Sequence, residues 1–188
     1  MTELGALRLD EVLDRLESPA PGPAGASAAA LAAAMAASLV VMTACGTDAW
    51  ADGRAVAERA SQLRGRLVEL ADEDAQAVAR LLELFREPVS DGRAEKMASG
   101  LVEAAKTPLA IAVAAAELTE LAGAAAEQGK PVMRADAAAA AQLAEAATRA
   151  AVLVVETNLA AIPRDAVAPE RDVLSRRASD ALTRVTER

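Results

Sequence analysis

The chain has 188 residues, enough for a single domain around one core, and 53% of them are hydrophobic while only 1% are aromatic. A net charge of −8 leaves no basic stripe for phosphates, which argues against nucleic acid as a partner. One cysteine, Cys45, and no histidine exclude an internal disulfide and a thiol- or imidazole-rich metal site, so acid–base chemistry falls to Asp, Glu or Lys.

Ala, Leu, Glu and Arg dominate, and β-branched residues form only short runs such as Val152–Val155, which predicts an all-α protein. Residues Leu7 to Leu16 read as a short amphipathic helix with Leu9, Val12, Leu13 and Leu16 on one side. No secretory leader is expected there, because a basic start followed by an apolar run is missing. Pro19, Pro21 and Pro23 break this helix, and Ser27, a good N-cap, opens a second one that runs to Cys45 before Gly46. The uncharged stretch Pro19–Thr47 is long enough to span a bilayer, but it is mostly alanine, opens with Pro and Gly, and has acidic flanks. It reads as the buried central helix of a bundle, with no membrane partner.

A third helix starts near Asp52 and runs toward Glu87, and a loop at Ser90–Gly92 precedes a fourth. Thr107–Pro108 restarts or kinks the chain, and Gly129–Pro131 is a turn. A long helix follows from about Ala135 to Ile162, and a polar amphipathic tail covers about Pro169 to Thr186. With no repeat and no linker, residues 1–188 form one antiparallel helical bundle with long Ala-rich helices.

Three polar residues fall where apolar ones are expected. Asp74 stands four residues after Leu70 and seven after Leu67, on the third helix's apolar stripe of Val56, Leu63, Leu67, Leu70, Val78, Leu81 and Phe85. A carboxylate there is either bonded to a helix end or an arginine, or faces a cleft as a proton acceptor or cation partner. Its neighbours Asp72 and Glu73 read as ordinary surface. Asp136 shares a face with Leu143, Ala147 and Val154, or is a first-turn acid favoured by the helix dipole. Asn158, four beyond Val154, is a core amide satisfied by a backbone group or a ligand residue. Asp136 and Asn158 are 22 residues apart, about 33 Å along a helix, so one chain cannot close both on a small ligand without a sharp bend. Glu145 and Arg149, at i,i+4, read as a surface ion pair. Gly25 and Ser27, among small residues at a helix start, either bring an anion to free N–H groups or simply begin a helix.

In order, the segments "LESPAPGPAGASAAALAAAMAASLVVMT", "LADEDAQAV", "AAKTPLAIA", "GKPVMRADAAAAA" and "VVETNLAAI" resemble the cyclodeaminase/cyclohydrolase family. This is the folate-processing domain at the C-terminal end of formiminotransferase-cyclodeaminase, also found as a stand-alone bacterial methenyltetrahydrofolate cyclohydrolase. The positions that carry the resemblance are Pro21, Pro23, Gly25, Ser27, Asp74, Ala75, Pro108, Gly129, Pro131, Asp136 and Asn158. Ala24, Ala26, Lys130, Ala135 and Val154 depart from the family pattern. The resemblance implies ammonia release from formiminotetrahydrofolate or hydration of the methenyl bridge, and the lack of a leader pattern together with the bundle reading of the apolar helix predicts a cytoplasmic protein. No cofactor is implied beyond a tetrahydrofolate-type substrate. It implies Asp74 and Asp136 as catalytic carboxylates, with Gly25, Ser27, Lys130, Arg134 and Asn158 binding the folate, and a homodimer with folate near the subunit contact. A non-catalytic small-anion or folate-binding module and a purely structural helical dimer are the alternatives.

Overall fold

The fold comes from a computed structural model that describes residues 3–19, 21–88, 91–163, 166, 168 and 170–186. Six α-helices account for most of the described residues: α1 (Leu9–Glu17), α2 (Gly25–Cys45), α3 (Gly53–Arg86), α4 (Arg93–Gln128), α5 (Arg134–Ala160) and α6 (Arg171–Thr186). The loop expected at Ser90 and the tail start expected at Pro169 lie outside the described residues.

The helices form the expected antiparallel bundle. α4 packs most extensively on α5, and α2 lies against both α3 and α5. At one end of the α2–α5 pair Gly25 faces Val154, and at the other Gly46 faces Met133, so the two helices run in opposite directions. Alanines at the seams, including Ala30, Ala33, Ala37, Ala112, Ala115, Ala140 and Ala151, are fully buried and let the helices pack closely. Leu67, Leu70, Leu101, Leu109, Ile111 and Leu118 supply the bulk of the side-chain volume.

Two boundaries differ from the sequence reading, and one expected cap makes no bond. α2 begins at Gly25, with Ala24 at its N-cap, so Ser27 is inside the first turn and caps nothing. Pro108 does not divide the fourth helix, because α4 continues through it for 36 residues. Asp52 stands at the N-cap of α3, but its side chain makes no capping bond. Gly92, the N-cap of α4, has φ +76, a left-handed conformation that suits glycine and strains other residues. The Arg93 guanidinium then bonds the last carbonyls of α3, at Phe85, Glu87 and Pro88.

Asp72 is not idle surface. Its Oδ1 accepts the Leu4 N–H at 2.9 Å and fastens the N-terminal segment to α3. Glu73 pairs with Arg66, and Glu145 with Arg149, on the outside of the bundle.

Two expectations about buried faces change. α2 is not enclosed, because Met35, Ser38, Met42 and Cys45 are exposed along one side. On α1, Leu9 and Leu13 point outward at 68% and 55% exposure, and only Val12 is buried. α2, α4 and α5 are each long and apolar enough to cross a membrane by length and composition alone. In this fold about half of the α2 and α4 apolar windows goes into the core.

At the C-terminal end of α2, the Thr47 hydroxyl donates to Thr43 O at 2.8 Å and accepts the Lys130 N–H at 3.1 Å, stitching α2 to the turn between α4 and α5. The Thr43 hydroxyl itself is buried without a partner among the described residues. Burying an unpaired hydroxyl is unfavourable, so Thr43→Val should leave stability unchanged or raise it by about 1 kcal/mol in a thermal melt. A drop of that size would instead reveal a bond that the hydroxyl makes in solution.

Candidate functional site

Asp74 is only 2% exposed and lies against the first turn of α2. Its Oδ2 accepts the Ser27 N–H at 2.9 Å and the Ser27 hydroxyl at 2.7 Å. The carboxylate therefore caps α2 from another helix and takes one of the four N–H groups that a helix start leaves unpaired. No residue of α2's own segment caps it by side chain. Burial pushes the Asp74 carboxyl above its ordinary value of 3.8, and the two Ser27 bonds partly offset that rise.

The Ser27 hydroxyl has a second acceptor, Ala71 O at 3.1 Å. It carries one proton and can give it to Asp74 or to Ala71. When Asp74 is ionised, the hydroxyl donates to it. When Asp74 holds a proton on Oδ2, that proton can be donated to Ser27 Oγ, whose own proton then turns to Ala71 O. Both protonation states of Asp74 are thus hydrogen-bonded, which lowers the cost of moving between them. Thr43 Oγ1 is the buried side-chain polar atom without a partner among the described residues. Asp74 Oδ1 takes neither Ser27 bond.

Asn158, half-buried near the end of α5, donates from Nδ2 to Ala104 O at 3.1 Å. That carbonyl needs a donor, since Pro108, four residues on, has no N–H to give it. Both misplaced polar residues of this end therefore serve backbone groups, as their plainer readings had it. Gly25 adjoins them, since a Cβ there would meet Val154 Cγ2 at 3.9 Å, one helical turn before Asn158. Ala104 also lines a cleft of about 470 Å³ between α3 and α4, with Ala77, Arg80, Leu84, Lys106 and Thr107.

Gly25, Ser27, Asp74 and Asn158 are thus together at one end of the bundle. Lys130, Arg134 and Asp136 are not with them. They sit at the other end of α2, a helix of 21 residues and about 30 Å. α5 runs unbroken from Arg134 to Ala160, so no bend brings Asp136 back to Asn158. Asp136 is exposed in the first turn of α5, off the buried face on which its spacing had placed it. Its position is the dipole-favoured one. Lys130 Nζ pairs with Asp48 at 3.2 Å, and Arg134 Nε reaches Gly129 O at 3.5 Å. The two cations therefore stand among the carbonyl ends of α2 and α4, where a helix dipole favours positive charge.

The formiminotransferase-cyclodeaminase family model matches residues 8–172, from α1 to the start of α6. The chain belongs to that family. Its fold is shared with formiminotetrahydrofolate cyclodeaminase from Thermotoga maritima, whose crystal structure at 22% identity superposes with a TM-score of 0.87 over 98% of this chain and 93% of that one. None of the curated proteins matches the chain. Within this family member, the Pro108–Asn158 pairing was missed from sequence. The signal was present, because a proline inside a helical run always frees the carbonyl four residues earlier.

Proposed function

We propose that this cyclodeaminase-family chain is a cytoplasmic folate enzyme of one-carbon metabolism. It would release ammonia from formiminotetrahydrofolate or hydrate methenyltetrahydrofolate, with no cofactor beyond the tetrahydrofolate itself. The observation that carries this reading is Asp74: a buried carboxyl with raised proton affinity whose two protonation states are both hydrogen-bonded through Ser27. In ammonia release, a folate nitrogen forms a bond to the formimino carbon, and the amine leaves once it has gained a proton. A carboxyl held above its usual range can keep that proton closer to neutral pH and deliver it. In hydration, the same group ionised takes the proton of the attacking water and stabilises the cationic carbon.

The second half of the proposal is a homodimer. Leu9, Leu13, Met35, Met42, Leu143 and Leu153 are exposed. They lie on neighbouring helices: α1 meets α2 in an apolar groove lined by Leu9, Leu31 and Met35, and α2 packs on α5. Together with Ala139, Ala146 and Ala150, exposed on α5, they make an apolar face about 30 Å long and two to three helices wide. That is on the order of 700 Å², close to the roughly 800 Å² per partner that a stable dimer buries. A second copy related by a two-fold axis perpendicular to these helices would pair α2 and α5 with antiparallel counterparts, which opposes their dipoles favourably. The same operation carries Lys130, Arg134 and Asp136 of the second copy toward Asp74 and Asn158 of the first. One site would then hold both groups, with Lys130 and Arg134 toward the folate's glutamyl carboxylates and Asp136 beside the reacting carbon.

Calorimetric titration with folinic acid, a stable reduced folate, tests the reading. Saturable heat is the expected result, followed by methenyl hydrolysis or ammonia release in direct assays. No heat well above metabolite concentrations would overturn it, and Ala24 and Ala26 at the reshaped turn would be the first places to look.

A further inference from the structure

The relation of Pro108 to Asn158 says more about the site than either residue alone. Inside α4, Ala104 O would ordinarily accept the N–H four residues later, but that residue is Pro108. A carbonyl can only accept, so Asn158 has to turn its NH₂ toward it, and Nδ2 does lie 3.1 Å away. A carboxamide held by its nitrogen has its oxygen held as well. Asn158 Oδ1 accepts no hydrogen bond among the described residues, and it is not among the buried atoms left without a partner, so it meets solvent. Val154, one helical turn before Asn158 on α5, is the residue that Gly25 at the start of α2 faces.

We infer that Pro108 is a positioning residue: by denying Ala104 O its helical donor, it fixes the Asn158 carboxamide so that Oδ1 is presented as an acceptor to an N–H group of the ligand. This rests on the folate reading above and deepens it. The group recognised is a neutral or protonated nitrogen donor, such as a ring N–H or an amine. It is not a carboxylate, which a fixed amide oxygen would repel.

Two arms of one experiment separate the claims. In the first, stability is measured by thermal melt for Asn158→Leu in two backgrounds, Pro108 and Pro108→Ala. With Pro108 present, the substitution strands Ala104 O and should lower Tm by about 4 °C. With alanine at 108, the restored N–H serves that carbonyl and the same substitution should cost under about 1 °C. Equal costs in both backgrounds would overturn the coupling. In the second arm, folinic acid is titrated into the Pro108→Ala protein and into its Asn158→Asp and Asn158→Leu derivatives. All three have Ala104 O satisfied. The aspartate keeps an acceptor and should bind within about three-fold of the Pro108→Ala reference, whereas the leucine should bind at least about ten-fold more weakly. If the leucine derivative binds as tightly as the reference, Asn158 is a backbone cap alone and the inference falls. Absence of folinic acid binding by the unmodified chain would overturn the folate reading and the ligand half of this inference with it. The melt cycle tests the bond to Ala104 O by itself, and the positioning half is read from the Pro108→Ala protein, which should bind folinic acid at least about three-fold more weakly than the unmodified chain, equal affinity overturning it.

Discussion

Asp74→Asn should reduce turnover by about 10²–10⁴-fold while leaving the bundle folded, because it removes the proton-transfer group and little else. Asparagine is nearly the same shape and its oxygen can still accept the Ser27 N–H that Asp74 Oδ2 now takes at 2.9 Å. The stability effect has a definite sign. Burial raises the folded carboxyl above 3.8, so the folded chain holds this proton more tightly than the unfolded chain does. The stability contributed by that proton is fully present below 3.8 and is lost as pH rises through the folded value. At neutral pH the native protein carries the cost of a buried charge, and the asparagine variant does not. Its Tm should therefore equal or exceed that of the native protein at pH 7, with the difference shrinking on acidification through that window. A variant that melts well below the native protein at pH 7 but keeps its specific activity would make Asp74 a helix cap without a catalytic role. Binding of folate without any turnover in the native chain would favour the binding-module alternative.

Charges placed on the open apolar face should split the proposed dimer and abolish the proposed turnover together. Met35 and Leu153, 56% and 63% exposed, are on adjacent helices and neither belongs to the buried core. The double substitution Met35→Glu, Leu153→Glu would bury up to four carboxylates in a two-fold interface, and even one unpaired buried charge costs several kcal/mol. Dimer affinity should fall by at least about 10²-fold, while the circular dichroism spectrum stays close to that of the native protein. Light scattering reads this directly, since the native protein should give twice the 19.2 kDa chain mass and the variant the chain mass itself. Turnover should fall with it if, as proposed, Lys130, Arg134 and Asp136 are brought to Asp74 by a second copy. A native mass of one chain would overturn the dimer, and an active monomer would overturn the shared site.

Much of this molecule was legible from residue order. The composition fixed the class, because a chain with two aromatic residues, Trp50 and Phe85, and runs of Ala and Leu has no good way to build a sheet. Helical spacing located Asp74 on a buried face, and the polar tail appeared as α6 within the described residues. Where the sequence reading departed from the structure, the cause was the same in each case. Periodicity reports that one side of a helix is apolar, not what covers that side. α2 is apolar on every side, and its own chain covers only part of it. Leu9 and Leu13 mark a face of α1 that this chain leaves open. Asp136 shared a spacing with Leu143, which is itself 39% exposed, so the stripe they define looks outward.

The helical class, the single bundle, the positions of the long helices and the odd polar residues thus follow from the sequence by itself, because they depend on local propensity and on which residues share a face. The purposes of those polar residues were decided by tertiary structure. Asp74 meets α2 across 47 positions of sequence, and Asn158 meets Ala104 across 54, each to satisfy a backbone group that its own helix could not. Such orphaned groups are visible in a sequence, at a helix start or ahead of a proline, but the residue that answers them comes from whichever helix the fold lays alongside.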